Sequence, residues 1–109
     1  VSELRNGQVS TYTLDPREFD LTPCTIEDLV GGDPPHNATI TRGLLNGIVD
    51  GAKRDVVLLN AAAAIVAGGR ADTLEDGLKQ ARQSLESGAA LGKLNALVEY
   101  TNRVKVVAQ

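Results

Sequence analysis

Chemistry needs convergent side chains, and this sequence offers few candidates. His36 is the only histidine. It sits beside Asp33 and Asn37, just inside a helix start signalled by Asp33-Pro34. As a general acid or base it would need a partner held in hydrogen-bond reach. The reading as an exposed first-turn residue outweighs that one. Gly31-Gly32-Asp33 could offer backbone N–H groups to a phosphate at a helix N-terminus. Glu27, Asp28 and Asp33 repel an anion there, however, and Pro34 and Pro35 remove two donors. Asn60 lies within an apolar run, where a buried amide is costly unless hydrogen-bonded. It is expected to be buried and to bond nearby backbone rather than a ligand. Arg54 could serve a phosphate or a partner surface. Cys24 follows Pro23, has no histidine close in sequence, and makes a poor nucleophile candidate. The sequence contains no His/Cys cluster with zinc spacing, no P-loop and no dinucleotide-binding glycine pattern.

The elements that would position these residues are mostly helices. Asn6-Gly7 is a two-residue hairpin signal, since both residues accept positive φ. Flanks rich in Val, Thr and Tyr predict a β-hairpin over 1–14, polar on both faces and at a sheet edge. Asp15, Pro16 and Glu18 then read as N-cap, N1 and N3 of a short helical turn, with Leu14 and Phe19 as a hydrophobic staple. Thr25 caps a second turn that carries Glu27 and Asp28 and stops at Gly31-Gly32. Asp33-Pro34 opens a helix with an apolar stripe of Ile40, Leu44, Leu45 and Ile48, ending between Gly47 and Gly51. Residues 54–67 are apolar on every side, which predicts a buried helix. Gly68-Gly69 ends it. Thr73 caps the next helix, with Leu74, Leu78, Ala81 and Leu85 on one face and Gly88 as its C′ residue. A last helix covers 89–103 with Leu91, Leu94, Leu97 and Val98 inward, and 104–109 is read as a tail.

Composition limits the function classes. The 109 residues are 42% hydrophobic and 23% charged, which is the balance of one globular unit. Aromatics are 3% and Met and Trp are absent, so the core must come from Leu, Val, Ile and Ala. Net charge is −3 with both signs interspersed, and no basic stripe supports nucleic-acid binding. No apolar run approaches the roughly 20 residues of a membrane span. A single cysteine excludes an intrachain disulfide and fits a reducing compartment. The chain starts without Met in an alternating stretch, Val1-Ser2-Glu3-Leu4, and a segment of a longer protein is the expectation.

The order of motifs is more specific than any one of them. Glu3-Leu4 with Asn6-Gly7, Tyr12-Thr13-Leu14-Asp15-Pro16 and Leu29-Val30-Gly31-Gly32-Asp33 come first. Asn37-Ala38, Ile40, Leu44-Leu45 and Gly47 follow, then Arg54-Asp55 and Leu59-Asn60-Ala61-Ala62. Ala71, Leu74, Gly77, Ala81, Ser87-Gly88, Ala90 and Leu94 complete the series. Over about residues 1 to 103 this succession resembles the C-terminal segment of anthranilate phosphoribosyltransferases. Two positions depart from the family pattern: Asp20, where a glycine usually follows the Phe, and His36, where an acidic residue is common.

The resemblance implies a fold and a reaction. The fold is an α+β fragment, an edge β-hairpin followed by packed helices. It would belong to an α/β domain like the C-terminal domain of nucleoside phosphorylases and phosphoribosyltransferases. The reaction moves phosphoribosyl from phosphoribosyl pyrophosphate to anthranilate in tryptophan biosynthesis, with magnesium on the pyrophosphate. The family's glycine-rich loop, Lys-His-Gly-Asn stretch, anthranilate-contacting arginine and Asp-Glu metal pair match nothing here. No catalytic, cofactor or metal residue is therefore carried over. Magnesium would be bound outside this segment, upstream of Val1. Expected partners are the two substrates, the rest of the polypeptide, and a second subunit bound through a helical domain. No nucleic acid or membrane is expected, and the expected location is the cytoplasm. The alternatives are a relative of pyrimidine nucleoside phosphorylases and a non-catalytic helical interaction module.

Overall fold

A computed structural model describes residues 1–107. Strands β1 (Ser2–Arg5) and β2 (Gln8–Thr11) form an antiparallel hairpin in which Arg5 faces Gln8 and Ser2 faces Thr11. Asn6 and Gly7 turn it at φ 52° and 77°, the left-handed pair such a turn requires. Both faces carry polar residues, Ser2 and Thr11 on one and Glu3, Arg5, Gln8 and Ser10 on the other, as expected. Leu4 and Val9 are paired across the ladder and exposed.

Two 3₁₀ turns link the hairpin to the helices. In the first, Pro16–Phe19, the Asp15 carboxylate accepts the Arg17 N–H at 3.0 Å, the predicted cap. This turn ends at Asp20, whose φ of 57° is left-handed. A glycine is the least costly residue there, and the short polar side chain of Asp is tolerated. In the second turn, Glu27–Leu29, the expected roles are reversed. Thr25 does not cap the turn: Asp28 Oδ2 accepts both the Thr25 N–H (2.9 Å) and its hydroxyl (3.2 Å). The turn also ends at extended Val30, before the glycines.

Helix α1 spans Pro34–Leu45, α2 Ala52–Ala67, α3 Leu74–Glu86 and α4 Ala89–Val107. Asp33 and Thr73 cap α1 and α3 by accepting the N–H of His36 and of Asp76. The end of α1 falls two residues before the predicted window. Gly47 at φ 75° takes the C′ position, donating to Leu44 while Ile48 donates to Gly43, and this paired bonding closes the helix. Ile48 thereby leaves the stripe and is 80% exposed. Gly69 closes α2 by the same pairing, through Gly69 to Val66 and Arg70 to Ile65.

The core lies between α2 and α3. Leu58, Ala62, Leu78, Ala81 and Leu85 are buried together, with Phe19, Leu45, Ala61, Ile65 and Leu74 packed around them. The predicted face of α3 is therefore the observed one. The helices approach closely at Gly77, where an added Cβ would lie 2.6 Å from the Ala62 carbonyl oxygen.

Three expectations need correction. Helix α2 is not buried all round: only Leu58 and Ala62 are, and Val56 and Val57 are exposed. In α4, Leu91 and Leu94 are half-buried, but Leu97 and Val98 face solvent. The expected tail is helical from 104 to 107, and 108–109 lie outside the described residues. The first two follow from the same cause. An apolar side chain says that a face can be covered, not that the covering element is within these residues.

Candidate functional site

The structure disperses the residues singled out by chemistry. His36 is exposed on the first turn of α1, where its backbone N–H is engaged by Asp33. Cys24 is exposed and free. Asn60 is exposed, contrary to the expected burial, because the face of α2 that carries it is uncovered. Its expected hydrogen bond is present: Nδ2 donates to the Val56 carbonyl one turn back at 2.8 Å. Arg54 is committed. Its side chain is 22% exposed, reaches Glu86 at 3.2 Å and lies 3.9 Å from Asp50, tying the start of α2 to the end of α3.

The Gly31-Gly32 bend shows why a phosphate reading fails there. The Asn37 amide grips Gly32 from both sides. Its Oδ1 accepts the Gly32 N–H at 2.8 Å, and its Nδ2 donates to the Gly32 carbonyl at 2.9 Å. The N–H that an anion would need is spent. A Cβ on Gly31 would press on Asn37 Oδ1, so a larger residue there would displace the amide from this grip. The sequence signal was available as an amide side chain five residues after a glycine, but only the bend makes the two meet.

Two clefts flank α2. The smaller, about 220 Å³, lies between the second 3₁₀ turn, α1 and α2, and is lined mostly by Leu29, Ile40, Leu44, Val56 and Val57. Lys53 stands at its edge, with Nζ donating to the Asp28 carbonyl at 2.7 Å. The larger, about 680 Å³, separates the hairpin from the end of α2 and the start of α3.

One polar cluster overlooks the larger cleft, and sequence reasoning missed it. Glu3 and Arg5 share a hairpin face because they are two residues apart. Tyr12 is the diagonal cross-strand neighbour of Glu3, within reach of a long side chain. Glu3 accepts from Arg5 Nε at 2.6 Å and from the Tyr12 hydroxyl at 3.1 Å. The Arg5 bond, then the Tyr12 bond, hold the Glu3 carboxyl below its ordinary range. Desolvation first, and the bond to Glu3 second, push the Tyr12 phenol up. Arg5 also donates to the Asp72 carbonyl at 3.3 Å, docking the hairpin on the α2–α3 connection. Glu3 is thus an ionised, doubly partnered acceptor rather than a poised base.

Asp15 is occupied in the same way. It holds Arg17 through a pair at 2.6 Å. The side-chain bond to Arg17, then the Arg17 backbone N–H, lower the Asp15 pKa to about 2. Its folded pKa is below its unfolded one, so its contribution is complete above the ordinary aspartate range. It is lost as pH falls from about 4 to about 2. An NMR titration of the Asp15 carboxyl carbon is expected to find a midpoint well under that of an unpaired aspartate. An ordinary midpoint would mean that the Arg17 pairing does not persist in solution.

Among the described residues, no group of three or more His, Cys, Asp or Glu side chains converges to hold a metal ion. These residues do not fit a magnesium site. Among the described residues no helix is long and apolar enough to cross a membrane.

The chain matches a family model described as "Glycosyl transferase family, a/b domain" over residues 1–91. It is 48% identical over 101 residues to an anthranilate phosphoribosyltransferase of Syntrophotalea carbinolica, covering 93% of this chain and 28% of that protein. It is also 48% identical to the enzyme of that name from Desulfatibacillum aliphaticivorans, covering 93% of this chain and 30% of that protein. The protein of that name from Methanobrevibacter smithii is 46% identical over 102 residues, covering 94% and 30%. The chain therefore spans under a third of the length of the curated relatives it matches. With the match running from the hairpin into the start of α4, the chain belongs to the glycosyl transferase family, through its a/b domain.

Proposed function

We propose that this chain is the C-terminal part of an anthranilate phosphoribosyltransferase. The complete protein would move phosphoribosyl from phosphoribosyl pyrophosphate to the amino group of anthranilate, releasing pyrophosphate. The observation that carries this reading is the near-half identity over almost the whole chain to several proteins of that name. The unpartnered faces support it. Helix α2 is apolar on all sides but covered on one, as expected of a helix that packs against a sheet in a larger α/β domain. On this reading the domain is of the nucleoside phosphorylase and phosphoribosyltransferase type.

Displacement at the anomeric carbon leaves charge on pyrophosphate, which donors and a metal must neutralise. Glu3, Asp15, Asp28 and Asp33 are already engaged by partners within the segment. Magnesium and the substrates would then be held by residues outside these 109, in a cytoplasmic enzyme that dimerises through a separate helical domain. What this segment supplies is the packing that holds the domain rigid.

A fluorescence assay of anthranilate consumption with phosphoribosyl pyrophosphate and magnesium tests the reading. The 109-residue chain alone is expected to be inactive, and the complete polypeptide active. Turnover by the purified segment would place catalysis within it. An inactive complete protein that instead cleaves pyrimidine nucleosides with phosphate would identify the phosphorylase alternative.

A further inference from the structure

We propose that Asn6 is a site of spontaneous deamidation and isoaspartate formation, while the second Asn-Gly pair of the chain, Asn46-Gly47, is protected by its helix cap. The two dipeptides are alike in sequence, and their backbones differ in the one group the chemistry uses.

The reaction begins when the nitrogen of the following glycine loses its proton to a base and attacks the asparagine Cγ. A new C–N bond closes a five-membered succinimide, and the bond from Cγ to the side-chain nitrogen breaks. That nitrogen leaves as ammonia after taking up a proton. Water then adds to one of the two ring carbonyls. Opening at Cγ gives aspartate. Opening at the backbone carbonyl gives isoaspartate, with the chain running through the former side chain. The net change is one water consumed and one ammonia released, without oxidation or reduction. The reaction needs a glycine N–H that is free to ionise and a backbone free to turn.

Gly7 meets both needs. Its N–H has no hydrogen-bond partner among the described residues, and the Asn6 amide has none either. Nothing lies within 4 Å of where a Gly7 Cβ would stand, so the turn is open to solvent. The turn closes a two-stranded ladder of four residues on each side, at the end away from its Tyr12 bond to Val1, and so short a ladder opens locally. At Gly47 the N–H donates to Leu44 at 3.1 Å. The flanking Asn46 and Ile48 N–H groups donate to Arg42 and Gly43 at 2.9 and 2.8 Å. Reaching the succinimide from Asn46 means breaking these cap bonds first.

The test is to hold the folded chain at mildly alkaline pH and follow both sites by peptide mapping, with enzymatic methylation reporting isoaspartate. A parallel sample is kept in concentrated urea. Asn6 is expected to convert roughly fivefold or more faster than Asn46 in the folded chain, the factor that a single net hydrogen bond supplies. In urea the two rates should become comparable. An Asn6→Gly variant, which keeps a turn-compatible residue, should lose the conversion at that site. Equal or faster conversion at Asn46 in the folded chain would overturn the proposal. So would a difference that persists in urea, which would trace to flanking sequence. Protection of both sites in the folded chain would show that the hairpin shields Asn6.

Discussion

Truncating Leu58 to Ala is expected to lower the unfolding free energy by about 2–5 kcal/mol. Leu58 is 2% exposed and stands at the centre of the α2–α3 core. Its removal leaves a cavity among Ala62, Leu78, Ala81 and Leu85, where the small alanines cannot swing in to fill it. A unit of this size holds only about 5–15 kcal/mol in total. Each kcal/mol is worth roughly 4–8 °C in melting temperature for a small domain, so thermal unfolding by circular dichroism will register the change clearly. Ile48→Ala is the comparison: the same hydrophobic class, but 80% exposed just past the end of α1. It should shift stability by no more than about 0.5 kcal/mol. Similar losses for the two variants would mean that the core is not where the structure places it.

Gly77→Ala is the second large effect, and its sign runs against helix propensity. Alanine is favoured over glycine inside a helix by about 1 kcal/mol. At Gly77 the new methyl would lie 2.6 Å from the Ala62 carbonyl oxygen and 3.2 Å from the Ala62 carbonyl carbon and Cα. Those atoms are backbone of the facing helix and cannot rotate away, so α2 and α3 must separate. Overpacking of this kind costs about 1–3 kcal/mol, occasionally more, and outweighs the propensity gain. A larger residue such as Leu will cost more again. Gly92, inside α4, has nothing within 4 Å of its would-be Cβ. There the same change to Ala should stabilise by about 0.5–1 kcal/mol. Chemical denaturation of both variants decides: stabilisation at both positions would refute the close helix crossing.

The features legible in the sequence are those set by near neighbours. Asp33 and Thr73 cap helices because a carboxylate or hydroxyl reaches an N–H three residues on. Gly69 and Gly88 end helices because the chain turns left-handed there. The Leu78, Ala81 and Leu85 stripe needs only helical periodicity. What the sequence did not disclose depends on encounters at long range. Asn60 was expected to be buried on the premise that a helix apolar all round is covered all round, and its face of α2 is open. Leu97 and Val98 failed for the same reason. The close approach at Gly77 required knowing which residue of α2 lies opposite. The Glu3, Arg5 and Tyr12 cluster was readable in principle, since the Asn6-Gly7 turn fixes the register that brings them together. At the candidate site, Glu3, Asp15, Asp28 and Asp33 are each taken by a nearby donor, and each of those donors lies within three residues of the acid.

The Arg5 contact to Asp72 bears on the order in which the chain assembles. Its two ends are 67 residues apart, whereas Leu58 meets Leu78 across only about 20 residues and one short connection. Local contacts of the second kind form early, because little chain has to be gathered to make them. Helices α2 and α3 can therefore pair as they emerge in sequence. The hairpin precedes them in sequence, and its Arg5 contact must wait for the α2–α3 connection. The Arg5 contact is in this way made after the helix pair that it rests on.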